Sequence, residues 1–437
     1  MLRPALFLLL SFVLASCANE ERSALDPDAD QSAPDLVSFQ VVTEDGQPFA
    51  VWEANEPVLA VVEYGESSDE LYRHAYPGSK EYKSSGMIKL VGAPAGMYAW
   101  AVRLRDEAGN EIARTLPNPP TFTIDGAPAG ELLCFAMLDV GWGDALFLRA
   151  PDGTTTLIDA GDPRDGHIVR RFLANQGVHA LDFASLTHLH EDHMGGFYGN
   201  EEWHLDGVFR VFTPGAAPIP CETFLDIRNK TMTNEYYSVL LDCIEHHPRF
   251  GQHVLLEWGA SSESEPALRW GKGLRVDLLA AGQKENMLPH FIQQTERGTI
   301  ENNDSMIYRV QYGDFVLLLM GDGEFAAEHF LEEHWPTKLL QASVLKVGHH
   351  GANDASSAEF LAIVDPRVGL ISNSASENPG LEHPKVMERL RRQGADFYAS
   401  DRAIPNRGRS TSGVRGDIVV WSDGDAFTVV AVPTRFE

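Results

Sequence analysis

Apolar and polar residues alternate along the early part of the chain. Between Tyr98 and Leu104 every second residue is large and apolar, which is the period of a half-buried strand. Gly109-Asn110 then provides a residue pair suited to a tight hairpin turn. Residues 37–126 contain no long segment with helical spacing, so the pattern predicts a small all-β sandwich there.

The pattern changes after residue 130, where short apolar runs alternate with a segment of helical spacing. The predicted strands are residues 132–140, 146–149, 155–158, 181–187, 315–320 and 343–347. Apolar residues from Ile168 to Leu173 predict a helix, with Asp162 as its N-cap and Gly177 at its end. Strand, helix and strand in succession predict an α/β layered domain over residues 131–437.

The first residues are typical of a targeting segment. An apolar run at residues 5–14 follows Arg3 and is too short to span a bilayer. Leu14-Ala15-Ser16-Cys17 resembles the lipobox of bacterial lipoproteins. The resemblance implies a signal peptide at residues 1–16 and a membrane-attached lipid on Cys17. An ordinary secretory signal is the alternative.

Export follows from either interpretation of the leader. Ala18 favours an outer-membrane address, so we expect a lipid-anchored protein in the outer membrane or periplasm, or at the cell surface. Residues 17–36 are rich in acidic residues, Ala, Ser and Pro, which predicts an extended linker. Spacing leaves open whether Cys221 and Cys243 pair, and Cys134 lies in an apolar run typical of a buried thiol.

The composition is that of a globular protein, with 437 residues, 43% of them hydrophobic and 22% charged. The net charge of −28 opposes indiscriminate binding of nucleic acid, which weakens long nucleic acid as a substrate. Residues 385–415 depart from this balance with eight basic and three acidic residues. A solvated helix face and loop are the simpler interpretation, and an anion-binding surface is the alternative.

Four residues that can bind metal lie within six positions at the end of the predicted strand 181–187. His188 and His190 are two apart, so in extended chain they point the same way and can hold one metal. If the chain then turns, Asp192 and His193 can hold a second metal. Imidazole and carboxylate ligands suit zinc, and also manganese. Gly195-Gly196 predicts a tight turn directly afterwards.

This run resembles the signature of the metallo-β-lactamase superfamily. The resemblance implies an αββα sandwich with two divalent ions, zinc before manganese. It also implies that Asp159 steadies the metal-binding loop and that Asp322 bridges both metals. A late histidine would complete the second metal, and the sequence leaves open whether this is His349 or His350.

A closer resemblance is to the external hydrolase domain of competence (DNA-uptake channel) proteins. It rests on the motifs Leu138-Asp139-Val140-Gly141-Trp142-Gly143-Asp144-Ala145, Asn303-Asp304-Ser305, Leu345-Lys346-Val347-Gly348-His349-His350-Gly351 and His383-Pro384. The third histidine that β-lactamases supply to the first metal is missing. Asn303 or Asp304 is expected to replace it or to leave that position to water. The competing histidines are His204, His246, His247, His253 and His290.

The resemblance implies hydrolysis by a metal-bridging hydroxide. The leading hypothesis is a phosphodiesterase or nuclease acting on an anionic, phosphorylated substrate. Asp192 would orient the nucleophile, and His383 would contact the leaving group or serve only to start a helix. The alternatives are a lactonase or β-lactamase and a non-catalytic envelope-binding lipoprotein. Nothing in the sequence indicates an oligomeric state.

A weaker resemblance concerns the N-terminal sandwich. The run Pro94-Ala95-Gly96-Met97-Tyr98 resembles a fibronectin type III or related Ig-like domain, which carries a tyrosine at a comparable corner. A spacer or docking role is expected for this region.

Overall fold

A computed structural model describes most of the chain. The described residues are 32–68, 70–114, 121–125, 131–227, 235–282, 300–373, 383–400 and 416–431. The predicted signal peptide, Cys17, His290 and the basic loop at residues 402–415 lie outside them. None of the described helices is both long enough and apolar enough to cross a membrane.

Twenty-one strands lie within the described residues. They are β1 Leu36–Glu44, β2 Gln47–Gly65, β3 Arg73–Tyr76, β4 Lys83–Lys89, β5 Gly96–Arg105, β6 Glu111–Arg114, β7 Thr121–Ile124, β8 Leu133–Met137, β9 Leu146–Arg149, β10 Thr155–Ile158, β11 Leu181–Ser185, β12 Cys221–Ile227, β13 Phe250–Leu256, β14 Leu274–Ala280, β15 Ile307–Tyr312, β16 Phe315–Leu319, β17 Val344–Lys346, β18 Val368–Ile371, β19 Asp396–Ala399, β20 Ile418–Ser422 and β21 Phe427–Ala431.

The helices of the described residues follow β10. They are α1 Gly166–Asn175, α2 Glu191–Tyr198, α3 Glu235–Glu245, α4 Ile300–Asn303, α5 Phe325–His334, α6 Thr337–Leu340, α7 Ala358–Val364 and α8 Pro384–Arg392, with 3-10 turns at Pro266–Leu268 and Gly348–Gly351.

Two sheets pack face to face and carry helices on their outer faces. The first runs in the order β13-β12-β11-β10-β9-β8-β20-β21, and the second in the order β14-β15-β16-β17-β18-β19. A central apolar cluster joins side chains such as Phe135 of β8 to Leu317 of β16. Two outer clusters join the first sheet to α1, α2 and α3 and the second sheet to α5, α7 and α8. The predicted αββα arrangement is confirmed.

The alternation of strand side chains explains these layers. In β8, Phe135 and Met137 face the central cluster, whereas Ala136 faces the helices. In β16, Leu317 faces the central cluster and Leu318 faces the helices. Strands buried on both faces have continuous apolar sequences, so apolar runs in the sequence predict where these strands lie.

The N-terminal region is all-β. The first half of β2 pairs with β1 and β4, and its second half pairs with β3 and β5. A separate apolar cluster that includes Trp52, Tyr64 and Trp100 fills this region. The Tyr98 hydroxyl donates to the Pro94 carbonyl at 2.8 Å, as in the tyrosine corner of Ig-like sandwiches. Assignment to the fibronectin type III or Ig-like class stays a prediction.

The N-terminal region is joined to the α/β part through a shared sheet. Strand β3 pairs antiparallel with β21, and the rings of Tyr76 and Phe427 stack at 4.8 Å across that pair. Arg103 Nη1 donates to Asp396 Oδ1 at 2.7 Å, and Arg103 Nε donates to Glu63 Oε1 at 3.1 Å. The sheet therefore crosses the boundary that we predict between residues 126 and 131. The division into domains 37–126 and 131–437 stays a prediction.

The predicted cap of α1 needs correction. Helix α1 begins after Asp165, not after Asp162, because Asp162 and Pro163 belong to the turn that packs against α2. The cysteine pairing that spacing left open is not formed, and the prediction of a buried thiol at Cys134 is confirmed. Cys134, Cys221 and Cys243 are all buried free thiols. The Cys221 thiol donates to the Thr223 carbonyl at 3.4 Å within its own strand.

Candidate metal centre

The metal-binding residues come together where strands of both sheets end. Strand β11 ends at Ser185, and the loop to α2 carries His188 and His190, while α2 itself carries Asp192 and His193. From the second sheet, Asp322 follows β16, and His350 lies in the 3-10 turn after β17. All these side chains except His190 are buried.

Two ligand groups share Asp322. One of them consists of Asp192, His193, Asp322 and His350, whose ligand atoms all lie within 4.8 Å of one another. Asp322 Oδ1 is 3.3 Å from both His193 Nε2 and His350 Nε2. Asp192 Oδ2 is 3.3 Å from His350 Nε2 and 3.7 Å from His193 Nε2. This is the set predicted for the second metal, with His350 as its late histidine.

Three atoms of this group fit a metal ion. His193 Nε2, His350 Nε2 and Asp322 Oδ1 are buried, and none has a hydrogen-bond partner. Buried polar atoms without partners are costly, so such atoms pointing at a common centre indicate a missing ligand. Two imidazoles and two carboxylates are a donor set that zinc accepts, and a divalent cation would satisfy all three atoms.

The charges of the group favour a cation as well. Burial lowers the pKa of His193, but the carboxylates of Asp322, Asp192 and Asp159 outweigh burial and raise that pKa well above its ordinary value. Burial raises the pKa of Asp322, but His350 and His193 outweigh it, so the carboxyl stays ionised. Protons on the two histidines occupy positions that a metal ion would take, and metal binding would release them.

Buried partners orient both histidines of this group. His193 Nδ1 is 2.8 Å from Asp159 Oδ2, and His350 Nδ1 is 3.1 Å from the Ser372 carbonyl oxygen. A proton held on each Nδ1 leaves the lone pair of Nε2 for a metal. Asp159 also accepts hydrogen bonds from the Thr187 backbone N–H at 2.8 Å and its hydroxyl at 2.6 Å. Asp159 therefore steadies the loop, the role that the resemblance implies.

The other group that contains Asp322 is the one predicted for the first metal, and it consists of His188, His190 and Asp322. His188 Nε2 lies 3.0 Å from His190 Nδ1 and 3.7 Å from Asp322 Oδ2. Burial and the neighbouring His193 lower the pKa of His188 well below its ordinary value, so this imidazole is neutral as a ligand must be. Asp322 thus presents one oxygen to each group, which is the arrangement expected of a bridging carboxylate.

Glu301 is a neighbour of this group that sequence reasoning missed. Its Oε2 lies 3.0 Å from His190 Nε2. Glu301 belongs to the short helix α4, directly before the Asn302-Asn303-Asp304 run that stands where β-lactamases supply a histidine. The candidate residues were those that match the family motif, and Glu301 lies just outside that motif.

The proposed replacements for the missing histidine have other roles. Asn303 Oδ1 accepts hydrogen bonds from the backbone N–H groups of Glu324 at 3.2 Å and Ala327 at 3.0 Å, at the start of α5. Asn303 Nδ2 donates to Glu324 Oε2 at 2.9 Å, so the amide is committed to capping. Asp304 is buried but joins neither ligand group. Substitution of the histidine by Asn303 or Asp304, or by water, stays a prediction.

His349 and His350 lie in different surroundings, and His350 is the one that shares a group with Asp322. His349 Nδ1 lies 2.9 Å from Asp354 Oδ1 and belongs to a separate group with Glu324 and Asp354. Both histidines have a positive φ, 46° for His349 and 51° for His350, so the turn directs their side chains apart. Such left-handed backbone is uncommon for residues other than glycine and is concentrated at functional sites.

His383 is the N-cap of α8. Its Nδ1 accepts a hydrogen bond from the Lys385 backbone N–H at 3.2 Å, and its own backbone N–H donates to the Gly351 carbonyl at 2.8 Å. His383 therefore lies beside the turn that carries His350, but it joins no ligand group among the described residues. Contact of His383 with a leaving group stays a prediction.

The glycines after the metal-binding run pack closely and do not form the predicted turn. Gly195 and Gly196 lie inside α2. A Cβ on Gly196 would lie 1.8 Å from the Ala160 carbonyl oxygen, and one on Gly195 would lie 2.1 Å from Pro163 Cδ. Glycine is needed here because the helix must approach the loop after β10, which carries Asp159.

The competing histidines that the structure describes join no ligand group. His204 and His246 are exposed, His247 Nε2 contacts the Ile219 carbonyl at 3.1 Å, and His253 Nε2 contacts Asp226 at 3.3 Å.

In the basic stretch, Arg389 donates to the Ala355 carbonyl at 3.1 Å, and Arg392 pairs with Glu388. The described part of that stretch is mainly a helix face that holds neighbouring loops.

A buried ion pair lies behind His350. Lys346 Nζ is 2.9 Å from Asp144 Oδ2, and both side chains are fully buried. The Ser372 hydroxyl contacts Asp144 Oδ1, and Ser372 in turn lies against His350 Nδ1. Asp144 belongs to the motif of residues 138–145 and Lys346 to the motif of residues 345–351. The pair therefore links two distant motifs beneath a metal-binding histidine.

Sequence comparison finds relatives that match part of the chain. ComE operon protein 3 of Bacillus subtilis (strain 168) is 25% identical over 283 residues, which cover 61% of this chain and 31% of that protein. Competence protein ComA of Neisseria gonorrhoeae is 32% identical over 114 residues, which cover 25% of this chain and 16% of that protein. No family model matches the chain.

We call the region that is similar to these relatives the competence-protein-like domain. Its αββα layers and its metal-binding groups agree with the metallo-β-lactamase superfamily named in the prediction. The chain spans less than a third of the length of either relative. Among solved structures, a new diphosphatase from the PhnP family is similar with 12% identity and a TM-score of 0.29, covering 54% of this chain and 85% of that one.

Proposed function

We propose that the competence-protein-like domain is a metal-dependent hydrolase of phosphodiesters with two divalent ions, zinc before manganese. The observation that carries the proposal is the convergence of two ligand groups on one buried carboxylate, Asp322. A chance cluster of surface histidines does not explain ligand atoms that are buried without hydrogen-bond partners.

The chain's own residues prepare this site. When bound, divalent ions would supply Lewis acidity and bring the pKa of water toward neutrality. Asp322 directs one oxygen toward each ligand group, and Asp159 and Ser372 hold the protons of His193 and His350 on Nδ1. Asp192 adds a second carboxylate beside His350, placed to accept a proton or to orient the attacking water.

A phosphodiester substrate is supported by the similarity to competence proteins and by the loss of the third histidine, which separates the chain from the β-lactamases. The excess of basic residues at positions 385–415 suits an anionic substrate. A lactonase or β-lactamase is the second candidate, and a non-catalytic envelope-binding lipoprotein is the third. The convergence of two ligand groups on Asp322 weighs against the third.

The proposal places this enzyme outside the cytoplasm, attached to the outer membrane or the cell surface through a lipid on Cys17. The lipobox-like run at Leu14-Ala15-Ser16-Cys17 supports this location. Labelling of growing cells with a clickable fatty acid, compared between the native chain and Cys17→Ser, tests it. Equal label in both would contradict the anchor.

We expect the full chain to hydrolyse a bis-aryl phosphodiester with zinc or manganese and to lose that activity in a chelator. The reason is that every catalytic interaction described above depends on the two ligand groups. The assay is run in parallel on single-stranded DNA, a lactone and a β-lactam. Turnover of a lactone or β-lactam with no turnover of either phosphodiester would replace the proposal by the second candidate.

Substitution of Glu301 by glutamine should weaken one metal and leave the other in place. Glu301 is the only described carboxylate in contact with His190 Nε2, so its loss removes charge from the His188 group alone. Loss of such a supporting carboxylate typically lowers metal affinity about 10–100-fold. Elemental analysis after gel filtration should fall from two equivalents toward one. One equivalent or fewer in the active native protein would contradict two metals.

A further inference from the structure

A cavity of about 370 Å³ lies where the N-terminal region meets the second sheet. Its charged lining consists of Lys80, Arg309, Lys338 and Arg367 together with Asp314 and Asp365. Four cations against two carboxylates give this cavity a formal charge of +2, in a protein whose net charge is −28. The charge of this cavity is therefore opposite in sign to the net charge of the protein.

Arg367 is buried without a carboxylate partner. Its side chain is 7% exposed, and Nη1 donates to the carbonyls of Pro77 at 3.0 Å and Ser79 at 2.9 Å. No carboxylate of a described residue lies within 4.0 Å of this guanidinium. Burial lowers the pKa of Arg367, although Tyr76, Asp396 and Asp365 oppose that shift. Buried charges are ordinarily paired, so a bound anion would complete the arrangement.

Arg309 also has unused hydrogen-bonding capacity. It is 5% exposed, and Nη1 donates to Gln311 Oε1 at 2.8 Å and lies 3.4 Å from Asp277 Oδ2. Its Nε is buried and has no hydrogen-bond partner. Because Nε is buried and not open to the cavity, Arg309 contributes positive charge to the cavity wall and not that N–H.

Two lysines complete the positive lining from different parts of the molecule. Lys80 comes from the N-terminal region, contacts the Asp365 carboxylate and donates to the Gln393 carbonyl at 3.0 Å. Lys338 comes from α6, is exposed and has no ion pair with any residue that the structure describes. Lys338 is therefore free to close over a ligand that reaches Arg309 and Arg367.

We propose that this cavity binds a small oxyanion, either phosphate or a phosphate monoester. Arginine side chains match the geometry of phosphate oxygens, and the volume lies near the lower end of the range for small-molecule sites, about 300–1,000 Å³. Because Lys80 and Arg367 come from different parts of the chain, the anion would tie the N-terminal region to the second sheet.

This site is separate from the metal centre. Val316, near the start of β16, lines the cavity, whereas Asp322 follows the end of the same strand. A strand of five residues is about 16 Å long, so the two sites occupy opposite ends of β16. The proposal therefore does not depend on the proposed function, and binding can be measured without metal.

The test is calorimetric titration of inorganic phosphate into the full chain after treatment with a chelator. We expect one binding event, and a Kd about 10-fold or more higher in Lys338→Met, since one charged hydrogen bond is lost. Lys272→Met removes the same charge from an exposed lysine outside the cavity and should bind phosphate like the native chain.

The same titration distinguishes the two forms of ligand. A lower Kd for glycerol 3-phosphate than for phosphate identifies an esterified ligand, and an equal or higher Kd identifies the free ion. Absence of phosphate binding at tens of millimolar would overturn the proposal. Binding that is equally strong in Lys338→Met and in Lys338→Glu would also overturn it, and neither variant removes a buried side chain.

Discussion

Replacement of Asp322 by asparagine should lower phosphodiester hydrolysis by about 10³-fold, because one side chain serves both ligand groups. A bridging carboxylate contributes several kcal/mol to the electrostatic work of such a site, and each 1.36 kcal/mol is tenfold in rate. Asparagine keeps the shape of aspartate but presents a neutral oxygen or an N–H to His193 and His350. Steady-state kinetics and elemental analysis of the same sample would measure rate and metal content together.

Asp106→Asn is the matched control for this variant. Asp106 is 3% exposed and Asp322 is 2% exposed, yet Asp106 lies in the hairpin between β5 and β6 and joins neither ligand group. The control should keep both metals and most of the activity. Near-native activity in Asp322→Asn, or an equal loss in both variants, would show that the ligand groups do not carry the reaction.

Replacement of Lys346 by methionine should destabilise the fold by about 3–5 kcal/mol, the usual result of removing one member of a buried ion pair. The remaining Asp144 carboxylate would be fully buried without its cation. Burial raises the pKa of Asp144, and Lys346 is the largest factor that opposes burial and keeps the carboxyl ionised. Urea unfolding monitored by circular dichroism gives the change in the free energy of unfolding.

The double variant Asp144→Asn with Lys346→Met separates charge from packing. Because it removes both charges, it should recover a large part of the stability lost in Lys346→Met. If the double variant loses more free energy of unfolding than the two single variants lose together, packing and not charge stabilises this part of the core. Metal content should fall in Lys346→Met even where the protein is folded, since Ser372 and His350 rest on Asp144.

The parts of the fold that depend on local sequence were predictable. Strands β9 and β10 are short runs dominated by apolar and β-branched residues, and their predicted bounds agree with the structure. The cap of α1 was not predictable, because Asp162 and Asp165 are equally suitable caps in sequence. Packing of Pro163 against Gly195 decides between them, and that contact spans two elements.

The candidate site divides in the same way. His188, His190, Asp192 and His193 lie within six positions, so their spacing alone indicated a metal site. Glu301 meets His190 across 111 positions of sequence, and no periodicity records such a contact. The choice of His350 over His349 likewise depends on two left-handed residues in one turn, which spacing does not reveal.

Strand β3 covers the outer edge of β21 by antiparallel pairing. Without β3, the N–H and C=O groups along one side of β21 would lie open at the edge of a long sheet. Exposed, apolar edge strands recruit strands from other molecules and so promote aggregation. We therefore expect a chain that lacks β3 to expose β21 and to self-associate.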